Sequence, residues 1–212
     1  MAENPTNPTD KPAESTRDRI LHAARDAWHE SSFDGVGTAE LCRRAGVHKG
    51  SFFHFFPSKQ ALLLAVLERH ATDLDARLRQ GPFAPDVPPL QRFERFFGWL
   101  GNTARGQLEQ DGRFRGCPIG NLVSELGTRD DAARAAAAAV FDRLLAVFEE
   151  TVREAVAVGE LPAATDARTA AHAVLVWMQG LSVLAKSYGT AAPLGDLVAR
   201  GIAMLRSVAT GA

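Results

Sequence analysis

The side chain best suited to covalent chemistry in this sequence is Cys117, one of two cysteines in 212 residues. It stands in RGCPIGNLVSEL, directly before Pro118. Proline is favoured at the first position of a helix, so this order predicts that Cys117 is the N-cap of a helix. A thiolate at an N-cap faces the free N–H groups of the first turn and the positive end of the helix dipole, which stabilise it. Cys117 is therefore a candidate reactive thiol.

A second interpretation treats Cys117 as a small buried hydrophobic residue, the commonest role of a free cysteine. The other cysteine, Cys42, falls in a predicted helix and is interpreted as a packing residue. The two thiols match no disulfide framework and no zinc-ligand spacing, so we expect both to be reduced, with no metal and no cofactor. Catalysis would need a base beside Cys117, and no histidine or pair of carboxylates is an evident candidate. We therefore predict a protein that is not an enzyme.

Lys186 is a candidate partner for that thiol. It is one of four lysines beside twenty arginines, and it lies in the otherwise mild segment SVLAKSYG. An ammonium group stabilises a nearby thiolate, and a lysine amine can react with an oxidised sulfur. The alternative is a lysine that simply faces solvent.

A second group of residues has the types and spacing needed to read DNA. GTAELCRRAGV and HKGSFFHFF predict two short helices joined at Gly46, the pattern of a helix-turn-helix over residues 37–56. Its inner face is predicted to be apolar and buried: Leu41, Val47, Phe52, Phe55 and Phe56. Its outer face offers groups for phosphates, base edges and thymine methyls: Lys49, Gly50, Ser51, Phe53 and His54. A three-helix packing unit without a nucleic-acid partner is the alternative.

All the elements that position these residues are predicted to be helical. Residues 1–14 predict a disordered arm, and residues 81–89, with four prolines, predict a linker. Caps and apolar periodicity predict helices from Thr16 to before Asp34, at the two helix-turn-helix segments, and from Ser58 to Gln80. Further helices are predicted at about 90–110, 118–127, 130–158, 166–189 and 194–209. We assign residues 15–74 to a DNA-binding domain and residues 75–212 to a second helical domain.

Composition fits an ordinary soluble globular protein and excludes fibrous and disordered classes. The chain is 46% hydrophobic and 23% charged, with a net charge of −1. No run approaches the ~20 apolar residues of a membrane span, and the first residues lack the apolar core of a signal peptide. We therefore expect a cytoplasmic protein with no membrane partner.

The segment ILHAARDAWHESSFDGVGTAELCRRAGVHKGSFFHFFPSKQALLLAVLE closely resembles the tetracycline-repressor (TetR) family of bacterial transcription regulators. The resemblance implies an all-helical homodimer whose N-terminal heads bind a palindromic operator, while a C-terminal helical bundle binds a small effector and dimerises. Residues 75–212 would thus be the effector-sensing and dimerisation domain. At matching positions, Thr38 and Lys59 would hold phosphates. The family usually has tyrosine where Phe53 stands, so the hydroxyl contact to phosphate is absent here.

A narrower resemblance covers GCPIGN, SEL and WMQGLSVLAKSYGTAAPL. These segments are similar to the branch of the family that responds to electrophiles such as N-ethylmaleimide and aldehydes, or to acrylate-like molecules. In the electrophile-sensing branch, a cysteine at the position of Cys117 is the sensing thiol, and a lysine at the position of Lys186 lies near it.

The last two predicted helices each carry a wide apolar face, and two such helices from each subunit would make an intersubunit four-helix bundle. The faces are Ala170, Val174, Trp177, Met178 and Leu181 on one helix, and Leu197, Val198, Ile202 and Leu205 on the other. The alternative is core packing within one chain. The aromatic residues in excess of a minimal bundle indicate a pocket, although each alone is more often core: Phe93, Phe96, Phe97, Trp99, Phe141, Phe148 and Trp177.

The leading hypothesis is thus a DNA-binding repressor that a small-molecule, electrophile or oxidant signal releases from its operator, with Cys117 as the candidate sensing residue. One alternative is a regulator with a reversible hydrophobic ligand and an inert Cys117. A thiol-dependent detoxifying enzyme is the other.

Overall fold

The computed structural model describes residues 14–210. Over that range the chain forms nine α-helices, one 3-10 turn at Ala192–Leu194 and no strand, so the predicted all-α fold is confirmed. The helices are α1 (Thr16–Glu30), α2 (Thr38–Ala45), α3 (Lys49–Phe55), α4 (Lys59–Gln80), α5 (Pro89–Asp111), α6 (Pro118–Leu126), α7 (Asp131–Ala157), α8 (Ala167–Tyr188) and α9 (Leu197–Thr210). The disordered arm predicted for residues 1–14 lies outside the described residues, apart from Glu14.

Local signals explain why the helices begin where they do. The Ser58 hydroxyl accepts a hydrogen bond from Ala61 N at 3.0 Å, which caps α4. The Asp130 carboxylate caps α7 in the same way, at 2.9 Å from Ala133 N. Gly46 ends α2 with φ +63°, a left-handed conformation that favours glycine and turns the chain into α3.

The buried apolar side chains of residues 14–210 form two clusters. The first joins α1 to α4 with α6 and the start of α7. The second is rich in phenylalanine and joins α5 with the rest of α7, α8 and α9. The segment predicted as a linker, residues 81–89, is irregular as expected, but Phe83 is buried there against Phe93, Phe96 and Phe148. It therefore anchors α4 to α5 rather than separating them.

The prediction that Phe55 of α3 is buried is wrong. Phe52 and Phe56 are buried, whereas Phe55 is 37% exposed. The helix ends at Phe55, and Phe56 is already extended at φ −135°, ψ 106°. Helical spacing therefore does not continue to Phe56, and the two side chains leave on different sides.

The apolar faces assigned to the dimer are mostly the core of this chain. Ala170, Val174, Leu181, Leu197 and Leu205 are each buried in the second cluster, because α8 and α9 pack on α5 and α7. The exposed apolar side chains of α8 and α9 are Val176, Val183, Leu184 and Tyr188, which were not predicted, and Val198, which was. Of the four remaining predicted residues, Trp177, Met178 and Ile202 are partly buried and Val198 is exposed.

No helix within residues 14–210 is both long and apolar enough to cross a membrane. The same range brings together no group of three or more histidine, cysteine or acidic side chains suited to a metal ion.

We predict that Gly201→Ala destabilises the fold. Gly201 is buried where α9 meets α5, and a Cβ there would lie 2.5 Å from a ring carbon of Phe97. Such overpacking costs about 1–3 kcal/mol in the free energy of unfolding, measured by urea denaturation. Gly106→Ala in α5 is the matched control. A Cβ there meets no described atom within 4 Å, so that variant should be about 0.5–1 kcal/mol more stable. Equal free energies of unfolding for the two variants would contradict the close packing of Gly201 against Phe97.

Candidate functional site

The outer face of α3 is accessible. Lys49, Gly50 and His54 are exposed, Ser51 is half-buried and Phe53 is 42% exposed. The Lys49 ammonium lies 5.8 Å from the centre of the Phe53 ring, so a cation and an aromatic face form one continuous surface. A Cβ at Gly50 would meet no described atom within 4 Å, which leaves room for a close approach to the backbone.

The two residues expected to hold phosphates flank this face. Thr38 is the first residue of α2 and is half-buried. The Lys59 ammonium, at the start of α4, lies 4.2 Å from the centre of the Phe33 ring. Burial lowers the pKa of Lys59, and the nearby carboxylates of Asp34 and Glu125 oppose that shift. In this conformation Lys59 thus contacts the loop between α1 and α2.

An ion-pair network that sequence reasoning missed fixes α2. The Glu40 carboxylate accepts hydrogen bonds from Arg43 and Arg44, which lower its pKa to about 2. Arg44 also binds Glu30 at 2.6 Å, at the end of α1. The i,i+3 and i,i+4 spacing of Glu40, Arg43 and Arg44 was the available signal. The network ties the first helix of the helix-turn-helix to α1.

Cys117 is the N-cap of α6, with Pro118 at the first helical position, as predicted. Its Sγ accepts hydrogen bonds from Gly120 N at 3.4 Å and from the Gln179 amide Nε2 at 3.5 Å. Its own N–H donates to the Ser182 hydroxyl at 3.0 Å. The thiol is free and half-buried, so it is neither fully enclosed nor fully exposed. Two side chains of α8 therefore hold the N-terminus of α6.

Lys186 lies beside the same segment without an ion pair or hydrogen bond to the sulfur among the described contacts. Its ammonium donates to the Asn121 side-chain oxygen at 2.9 Å, and the Asn121 amide donates to Arg115 O at 2.8 Å. Its stem lies 3.4 Å from the place that a Cβ on Gly116 would take. Gly116 has φ +78°, a conformation that favours glycine, so this close approach depends on it.

A cavity of about 380 Å³ opens beside Cys117. Helices α5, α7 and α8 give it an apolar wall that includes Phe96, Trp99, Leu100, Phe141, Leu144 and Met178. Helices α1 and α4 give it a polar wall that includes Arg25, His29, Arg69, His70, Asp73 and Arg77. The sequence indicated some of the aromatic residues and none of the polar ones. These polar residues recur every three or four residues along α1 and α4, which places them on one face of each helix. That spacing could have indicated a shared polar surface.

Helix α6 is also attached to the DNA-binding helices. The Glu125 carboxylate accepts hydrogen bonds from Phe33 N and Asp34 N, both at 2.8 Å, in the loop after α1. His29 Nε2 lies 2.9 Å from Gly116 O. Burial lowers the pKa of His29, and Nε2 must carry a proton in this contact because a carbonyl oxygen only accepts. The candidate sensing segment and the candidate DNA-binding head therefore share α6.

Comparison with known families assigns both halves of the chain. The model described as "Bacterial regulatory proteins, tetR family" matches residues 20–66, and "Tetracyclin repressor-like, C-terminal domain" matches residues 89–200. The chain belongs to the TetR family. Transcriptional regulator AcuR of Cereibacter sphaeroides is 32% identical over 79% of this chain and 74% of its own length. The transcriptional repressor NemR of Escherichia coli is 40% identical over 31% of this chain and 33% of its own.

Solved structures agree with this assignment. A regulatory protein TetR from Rhodobacter sphaeroides has a TM-score of 0.77 at 28% identity, covering 89% of this chain and 98% of that one. The reduced form of Escherichia coli NemR has the same fold, with a TM-score of 0.78 at 24% identity over 89% of this chain and 95% of that one. TetR-family regulators bind operator DNA and act as dimers, and this chain is a transcriptional regulator of that DNA-binding, repressor type.

We predict that Lys49→Gln weakens the binding of this protein to its operator and makes that binding less sensitive to salt. Losing one phosphate-neutralising charge should reduce the slope of log affinity against log salt by about one. If Lys49 instead reads a guanine edge, about 1–3 kcal/mol is lost on that operator alone. Fluorescence anisotropy at several salt concentrations measures both.

Arg153→Gln is the matched control, because it removes an exposed cation from α7 instead. It should leave the salt slope unchanged. An unchanged slope and affinity in Lys49→Gln would remove Lys49 from the DNA contacts.

Proposed function

We propose that this regulator is a repressor that leaves its operator when an electrophile or oxidant modifies Cys117. The observation that carries the proposal is the position of the thiol. Cys117 lies on the wall of the cavity, receives two N–H donors, and caps the helix that is attached to the DNA-binding head. The similarity to NemR is consistent with this function but does not carry it.

The chemistry follows from the groups around the sulfur. Gly120 N and the Gln179 amide both point N–H groups at it, so the sulfur already accepts two hydrogen bonds. With N-ethylmaleimide, the thiolate sulfur forms a bond to one alkene carbon, and the alkene's π electrons move to the adjacent carbon. That carbon then takes a proton from water. The product is a neutral thioether, a poor acceptor that no longer holds the two donors.

Bulk has a further effect at this position. The Cys117 side chain and the Gln179 carbonyl oxygen already lie within 3.5 Å and 2.8 Å of where a Cβ on Gly120 would be. An adduct has to enter the cavity or displace Gln179. Either change disturbs the N-terminus of α6.

Transmission to DNA would pass along α6. The segment before α6 holds the end of α1 through Gly116 O and His29, and the helix itself holds the loop before α2 through Glu125. A shift of α6 therefore changes the orientation of the helix-turn-helix. In a dimer the two heads must match half-sites about 34–36 Å apart, so a small rotation loses one of them.

The proposed dimer forms through α8 and α9, as expected from sequence, but Val198 is the one exposed residue that it shares with the predicted faces. The exposed apolar residues Val176, Val183, Leu184 and Tyr188 of α8, with Val198 of α9, would be covered by a second copy.

The candidate DNA contacts stay as proposed from sequence, with Lys59 released from Phe33 when it reaches a phosphate. The division into residues 15–74 and 75–212 also stays a proposal. Lys186 is proposed to hold the segment before α6 through Asn121.

Replacing Cys117 by serine tests the thiol. Serine is a good N-cap, so Cys117→Ser should keep α6 and bind operator normally. We expect N-ethylmaleimide to release wild-type protein from DNA in a gel-shift assay and to leave this variant bound.

Cys42→Ala is the matched control, since Cys42 is buried in α2 and is 7% exposed. It should respond like wild type. Release of Cys117→Ser by N-ethylmaleimide to the wild-type extent would contradict thiol sensing at this position and favour a reversible ligand in the cavity.

Replacing Glu125 by glutamine tests the transmission. The amide keeps the shape of the side chain but weakens hydrogen bonds that the carboxylate makes to two N–H groups, at a cost of about 1–2 kcal/mol. Mass spectrometry should show Cys117 labelled by N-ethylmaleimide at the wild-type rate. The loss of operator affinity that follows labelling should be about tenfold smaller.

Glu109→Gln, on an exposed site of α5, is its control and should retain the full response. If Glu125→Gln also retained it, α6 would not act through the loop after α1.

A further inference from the structure

We propose that the cavity beside Cys117 binds a small organic anion, with its carboxylate at His70 and Arg77 and its apolar body against the aromatic wall. This inference rests on the proposed regulatory role of the same cavity. It adds the chemical class of the molecule that the cavity selects, and binding in this mode needs no covalent bond to the thiol.

The charged side chains of the polar wall are paired, with one exception. Arg25 binds Asp26 at 2.8 Å, and Arg69 binds both Asp73 and Asp18, at 3.0 and 2.8 Å. Arg77 also lines the cavity, but no carboxylate of residues 14–210 pairs with it. It is exposed, so it marks the side of the cavity that opens to solvent. An entering anion therefore meets an uncompensated guanidinium.

His70 lies seven residues earlier on the same face of α4, deeper in the cavity wall. Its ring has no hydrogen-bond partner among the described residues. Burial and, to a smaller extent, the positive charges of Arg25 and Arg77 together lower the pKa of His70 to about 4. The carboxylate of Asp73 opposes them, but it is already bound by Arg69. The neutral ring thus has a free N–H in a positive field, which is what a carboxylate oxygen needs.

The apolar wall of the cavity determines what the uncharged part of the ligand can be. Phe96, Trp99, Phe141 and Met178 offer apolar and aromatic surface across from α4. A volume of about 380 Å³ lies near the lower end of the ~300–1,000 Å³ of small-molecule sites. A compact body with one charged end therefore fits the cavity better than a large or multiply charged molecule.

The test compares three molecules with the same carbon chain: hexanoate, hexan-1-ol and hexylamine. Calorimetric titration at pH 7 uses the full-length Cys117→Ser protein, so that thiol chemistry does not contribute. We expect hexanoate to bind at least tenfold more tightly than hexan-1-ol, and hexylamine to bind more weakly than both.

Variants then locate the carboxylate. Arg77→Gln and His70→Leu should each bring the affinity for hexanoate close to that for hexan-1-ol. Arg79→Gln is the matched control. It also lies on α4 and is exposed, but its partners are Asp75 and Glu150 and it does not line the cavity. It should keep the preference for the acid. Because Arg77 is exposed, its variant should fold even if His70→Leu does not.

The proposal is overturned if the alcohol or the amine binds as tightly as the acid, if none of the three binds, or if Arg77→Gln keeps the preference. The proposed function can fail separately. Release of DNA by N-ethylmaleimide without Cys117 would remove thiol sensing and leave the anion site in place.

Discussion

Two hydrogen bonds from the backbone N–H groups of Phe33 and Asp34 to the Glu125 carboxylate connect the two ends of this molecule. At one end is the helix-turn-helix, which α1 and its following loop support. At the other is α6, whose N-cap is Cys117. Because a carboxylate that accepts two N–H groups fixes position as well as distance, α6 and the head have to move together. The proposed signal from Cys117 depends on that attachment.

The packing explains why α6 is the element that can move. It has nine residues and buries three of them, Ile119, Leu122 and Leu126, whereas α7 beside it buries nine. The second cluster holds α5, α7, α8 and α9 together through several phenylalanine contacts. A helix with so little buried surface has a low cost of displacement, while its neighbours stay in place. Its position depends on those three buried side chains together with the polar attachments at Cys117, Ser182 and Glu125.

The sequence predicts most of the helices because their boundaries are local. Ser58, Asp130, Gly46 and Pro118 fix caps and turns through atoms within a few residues of themselves. The cavity could not be predicted in this way, since its walls come from helices far apart in the chain, with His70 facing residues such as Met178. The exposure of Phe55 depends on where α3 stops, and the burial of Val174 depends on the packing of α8 against α5, α7 and α9.

The length of α4 explains how one helix contacts both the DNA-binding region and the cavity. Helix α4 begins at Lys59, directly after α3 and the Pro57 turn, and reaches the cavity at His70. At 1.5 Å per residue these two positions are about 16 Å apart along a continuous helix. A ligand bound at His70 and Arg77 therefore touches the helix whose other end adjoins the DNA-binding surface, whereas a bond at Cys117 acts through α6. An anionic electrophile would use both routes at once, because its carboxylate would bind to α4 and its reactive carbon would bond to Cys117. If the two helices move independently, the effects of binding and of covalent modification on the free energy of operator binding should add.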